Sequence, residues 1–260
     1  MKSILFRRQT QCRKGWCGGL RQSNKGNVLF IILIAVMLFG ALTAAITRSE
    51  RGSGSLDKER GLINASDYMA YTSTIEKTVA RMLSNDMSEN QLSFANDVWE
   101  FNDGTKVETD AMFANCTTDS CKVFHPAGGG LDVKTFADNQ PPSPGTGDIK
   151  SGHAGVFSLK VTGVGTDAHD LVLMVAVVDR NTCRQINEQM KIVNPGNAPP
   201  ADGWAGAALY GGAFSGPDDA TDEIGDAATQ IVGKTAGCIS RTPAAYGEAD
   251  NWVFQVLLPR

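Results

Sequence analysis

The first 26 residues contain no acidic side chain, and seven basic ones (Lys2, Arg7, Arg8, Arg13, Lys14, Arg21 and Lys25) give that head a charge of +7. The whole chain carries -4, so the residues that follow carry about -11. An acidic body disfavours nucleic-acid binding, because phosphate contacts need lysine and arginine. The basic head is no exception. It stands directly before an apolar run, where positive charge sets membrane orientation.

Histidine is scarce. His125, His153 and His169 are the three in the chain, and no H-x3-H or H-E-x-x-H spacing joins them. That excludes the common zinc modules and leaves solvated turns as the expectation for all three. There is no G-x-S-x-G, and spacing places no cysteine against a histidine, so no nucleophile is evident and the chain reads as a non-enzyme. The nearest approach to a phosphate loop is Ala228–Thr235, A-x4-G-K-T. Alanine stands there in place of the first glycine, and the preceding "DDATDEIGD" is polar where a buried strand is needed. Cofactors are therefore expected to be none. The acidic run 217–226 offers Asp218, Asp219, Asp222 and Glu223 as oxygen donors for calcium. It lacks the EF-hand spacing and central glycine, so a solvated acidic loop is expected and no metal.

What is present is a long apolar run. Val28 to Ile46 is 19 residues with no charge. As a helix it spans roughly 28 Å at ~1.5 Å per residue, close to a ~30 Å hydrocarbon core. The +7 before it and the nearly neutral flank after it (Arg48, Glu50, Arg51) put the N-terminus in the cytoplasm and the body outside. Three readings stay open. "LTAA" (Leu42–Ala45) would serve as a signal cleavage site, although the run exceeds the ~7–15 residues of a secretory h-region. The run would also serve as a permanent single-pass anchor. The third reading begins at Lys25-Gly26, where a basic leader ends in glycine immediately before the apolar helix.

That third layout, Gly26 followed by Asn27-Val28-Leu29-Phe30-Ile31-Ile32-Leu33-Ile34, resembles the type IV pilin and pseudopilin superfamily, with a 26-residue leader closer to the type IVb class. The resemblance implies cleavage between Gly26 and Asn27 by a prepilin peptidase, N-methylation of the new terminus, and assembly with copies of itself or other pilins. It implies an inner-membrane precursor whose body lies in the periplasm or outside. Asn27 stands where the family usually has a bulky apolar residue, and Ile31 where it usually has glutamate. Val28, Phe30, Ile34, Gly40, Ala44 and Ile46 mark the membrane and assembly helix. Small residues such as Gly40, Ala41, Ala44 and Ala45 suit lateral packing in a bundle.

Beyond the run, "RGSGS" (51–55) loosens the chain, since an interior glycine costs a helix about 1 kcal/mol relative to alanine. A second helix is expected from Leu56 to about Ser84, with Tyr68, Thr72, Ile75, Val79 and Met82 on one face. Strands are expected at Leu92–Phe101, Lys106–Phe113, Lys122–His125, Gly155–Gly163, Leu171–Asp179 (nearly all apolar and so central) and Trp252–Leu258. Short helices are expected at Arg180–Ile192 and Glu223–Gln230. Four cysteines in an exported body suggest two disulfides. Sequence alone allows three pairings; proximity favours Cys116–Cys121 and leaves Cys183–Cys238.

The resulting expectation is an α+β fold: a long N-terminal helix, membrane half plus amphipathic half, packed on a small antiparallel sheet with a loop-rich, disulfide-closed C-terminal region. Residues 1–26 form the leader, 27–47 the membrane or filament-core helix, 48–91 the linker and amphipathic helix, and 92–260 the extracytoplasmic β-rich domain. The function this implies is a structural subunit of a type IV pilus or pseudopilus. The alternative is an uncleaved, single-pass, membrane-anchored binding protein.

Overall fold

A computed structural model describes residues 27–49, 53–136, 145, 147–202, 208–215, 223–241 and 250–260. The chain divides into two compact units, Met1–Gly52 and Ser53–Arg260. The first unit contributes one helix, α1 (Asn27–Ser49). The second begins with α2 (Ser53–Ser84), which takes Ser53, Gly54 and Ser55 of the expected loose joint into its first turn.

Tyr68, Thr72, Ile75, Val79 and Met82 are all buried, at 3% exposure or less. Their spacing puts them on one side of α2, while Lys77, Ala80 and Arg81 remain exposed. That buried side packs against the last strand and against α3 (Arg180–Gln189). Gly61 is the close-approach point. A Cβ there would meet Gln185 Cγ at 3.3 Å and the Asn181 carbonyl carbon at 3.4 Å, so a larger residue would push α3 away.

The sheet has seven strands: β1 (Ala154–Val161), β2 (Asp170–Val175), β3 (Ala201–Asp202), β4 (Ala208–Leu209), β5 (Glu223–Ile224), β6 (Ala236–Arg241) and β7 (Asn251–Leu258). The order is β3-β6-β7-β2-β1-β4, with β5 also on β1. The four long strands pair antiparallel, β6 with β7, β7 with β2 and β2 with β1. Every residue of β2 is buried, as a strand covered on both faces requires. β7 lies between β6 and β2, near the middle of the sheet. Its end is fixed by Asp170, whose carboxylate accepts the N–H of Val161 (3.1 Å) and of Arg260 (2.9 Å).

The expected fold needs correcting in three places. The sheet is neither small nor purely antiparallel, because β3 joins β6 and β5 joins β1 in parallel. The single long N-terminal helix is replaced by α1 and α2, which belong to different units. Among the described residues no helix is long and apolar enough to cross a membrane, so the inner-membrane single-pass placement is not upheld.

Smaller differences follow the same logic. Leu92–Phe101, Lys106–Phe113 and Lys122–His125 are not strands; they meet in isolated bridges such as Ser93–Lys122 and Glu100–Lys106 and in short 3-10 turns. Glu223–Gln230 is not a helix but β5 and a turn, with a 3-10 turn following at Thr229–Ile231.

Candidate assembly surface

In α1, large apolar side chains point outward all round. Val28, Phe30, Met37, Leu38 and Phe39 are each more than 60% exposed, and Ile34, the least exposed of the run, is still 41% exposed. Nothing lies within 4 Å of a Cβ placed on Gly40. Thr43 turns its hydroxyl back onto the helix, donating to the Phe39 carbonyl (2.9 Å) and within 3.0 Å of the Gly40 carbonyl. From Val28 to Ala44, α1 therefore presents an apolar surface with no charge. A helix apolar on every side is stable only when something covers it. Gly40 and Ala44 keep part of that surface low enough for another helix to approach. Gly26 lies outside the described residues; Asn27 and Ile46 lie within α1, but their side chains are not among those described.

The body is closed covalently. Cys116 bonds Cys121 and Cys183 bonds Cys238, with Cα separations of 5.6 and 5.3 Å. The second bridge ties α3 to β6. Beside it, buried Asn187 substitutes for a strand neighbour: Cys238 N–H donates to its Oδ1 (2.8 Å) and its Nδ2 donates to the Cys238 carbonyl (2.9 Å). Asp179 caps α3 by accepting the Thr182 N–H at 2.9 Å.

The remaining sequence candidates do not come together into a chemical site. Asp218, Asp219 and Asp222 lie outside the described residues. Glu223 is occupied by Lys160 (2.9 Å) and by the Thr162 hydroxyl (3.3 Å). Among the described residues no group of three His, Cys, Asp or Glu side chains could hold a metal ion. In Ala228–Thr235, Ile231 is buried, Gly233 N–H donates to the Thr162 carbonyl, and Lys234 points its Nζ at the Met190 carbonyl, so no cradle of free N–H groups forms. His125 lies 3.7 Å from Asp119, and His169 contacts Ser158.

A cleft of about 390 Å³ lies between Asn96, Lys106, Thr109, Lys122 and His125. Its cations are already neutralised. Lys106 pairs with Glu100 (2.7 Å), and Lys122 with Asp110 (3.2 Å) and Asp119 (3.3 Å). Those partners hold the Lys122 ammonium above its ordinary range, through its hydrogen bonds to Asp110 and then Asp119.

Two buried ionisable residues were not legible in the sequence. His153 is 6% exposed, not a solvated turn, and Glu108 is 0% exposed. The partner of Glu108 is the backbone of β1, 48 positions further along the chain, and no local pattern announces such a pairing. No protein-family model, curated protein or solved structure matches the chain.

Proposed function

We propose that this chain is a pilin-like structural subunit of a type IV pilus or pseudopilus, released from its leader after Gly26 by a prepilin peptidase and assembled through α1 with copies of itself or other pilins. One observation carries the reading: α1 exposes apolar side chains on every side, while the body buries its own. Packing α1 against other helices removes that surface from water, and each large side chain so covered contributes about 1.5–3 kcal/mol. The disulfide-closed body is then the part displayed, and it needs no catalytic group. The layout of a basic head ending in Gly26 before the apolar run supports the processing step.

N-terminal sequencing of the mature protein tests this. Asn27 as the first residue is the expected result, and a bulky residue in place of Gly26 blocks the processing. An intact Met1 contradicts the proposal and favours an uncleaved binding protein; a terminus at Ile46 or later means ordinary secretion.

A further inference from the structure

α2 and α3 run antiparallel where they meet. Asn64 Nδ2 donates to the Thr182 hydroxyl at 3.5 Å, and Gly61, earlier in α2, faces Gln185, later in α3. About one turn before Gly61 the two helices enclose a cavity of about 310 Å³. Asp57 and Lys58 line it from α2, and Asn181, Arg184, Gln185 and Glu188 line it from α3. The four α3 residues stand at i, i+3, i+4 and i+7, so they share one face of that helix.

Two polar groups of these lining residues are buried without a partner. Gln185 is 4% exposed, and its Oε1 accepts no hydrogen bond. Arg184 Nε is buried and donates none. Buried polar groups are nearly always bonded, so an acceptor and a donor left over at one cavity need a reason. The charges point the same way. Asp57, Lys58, Arg184 and Glu188 bring two charges of each sign to the cavity, yet among the described residues none of them forms an ion pair. The cleft at Lys106 and Lys122 is the opposite case, because carboxylates of this chain already occupy both lysines.

The α3 face is also fixed. Cys183 is bridged to Cys238, and Asn194 Nδ2 donates to the Arg184 carbonyl at 3.2 Å. The unused groups are therefore presented on a rigid element, as a binding site requires.

Their chemistry selects the ligand. Arg184 Nε–H needs an oxygen acceptor, and Lys58 favours an anionic one. Gln185 Oε1 needs an N–H or O–H donor, and Asp57 and Glu188 favour a cationic one. A simple anion or cation is attracted by one pair of charges and opposed by the other, so a molecule carrying both charges close together satisfies the cavity best. The volume lies at the small end of the ~300–1,000 Å³ typical of ligand pockets, which suits one small molecule.

We propose that the cavity between the start of α2 and α3 binds a free α-amino acid, its carboxylate held by Arg184 and Lys58 and its ammonium by Gln185 Oε1, Asp57 and Glu188. The site lies wholly within the body and does not depend on assembly through α1.

Calorimetric titration of the full chain, held in a nonionic detergent, with the common L-amino acids one at a time tests this. At least one binds with a Kd below about 1 mM. The N-acetyl form of that amino acid, which lacks the ammonium, and its methyl ester, which lacks the carboxylate, each bind at least about tenfold more weakly. Gln185→Met, which keeps the length and loses the acceptor, and Lys58→Met each weaken the amino acid by about tenfold and leave the fold unchanged by circular dichroism. The proposal is overturned if no amino acid binds below about 1 mM, if the N-acetyl form or the ester binds as well as the parent, or if the folded variants bind as the wild type does. Should Gln185→Met not fold, Lys58→Met and Glu188→Gln, both at exposed positions, decide the matter.

Discussion

α1 and α2 are consecutive helices with opposite relations to water. Large apolar side chains of α1 lie open on every side, whereas α2 concentrates Tyr68, Ile75, Val79 and Met82 on one buried face and leaves its charges outside. The difference lies first in apolar content: α1 is uncharged from Val28 to Ala44, whereas α2 mixes charged and apolar side chains. A helix with a stripe is completed by its own domain; a helix without one requires covering from elsewhere. The body is self-sufficient, with its core assembled around α2 and the sheet and held by two disulfides. Under the proposed function, stability belongs to one unit and association to the other.

Substitutions that act on one unit only should break this division if it is wrong. The largest effect is expected from a charge in α1. Ile34→Asp abolishes self-association, read by sedimentation, and leaves the thermal midpoint of the body unchanged. An isolated charge inside an apolar bundle costs several kcal/mol, and no partner for it exists in the described part of α1. Next come changes in the body. Removing the Cys183–Cys238 bridge, which closes a separation of 55 residues, costs about 4 kcal/mol of stability by loop-closure reasoning. Ile75→Ala leaves a cavity beneath α2 and costs about 2–5 kcal/mol. The smallest is Asp179→Ala, which removes the cap of α3 for about 1 kcal/mol. Denaturant unfolding measures all three, and all three leave association intact. A body variant that stays folded yet no longer associates would place the assembly surface outside α1.

Much of the body was legible in the sequence where one pattern filled one element. The near-continuous apolar run of β2, the flanking β1 and β7, the stripe of α2 and the Cys-bearing α3 all lie where periodicity put them. β6 escaped because "AGCISR" is short and built from small residues. Gly237 leaves space that Ile192 Cδ1 (2.7 Å) and Phe254 Cε1 (2.9 Å) would deny to any Cβ. The region 92–125 misled in the other direction. Leu92, Phe94, Trp99, Val107, Phe113 and Val123 have the residue types of strands and are all buried, but they serve as single anchors of irregular chain. Strand propensity registers burial on a surface, and that surface need not be a ladder. The helix α1 was legible from its charge-free length. The buried Glu108 and His153 were not, because each is bonded to a backbone group far along the chain.

The central claim, that α1 is the assembly element, is tested most directly by the sedimentation and electron microscopy of the chain beginning at Asn27, beside its Ile34→Asp counterpart, after detergent is removed. The account predicts extended multimers for the first and monomers with an equally stable body for the second. Monomers in both preparations would contradict it.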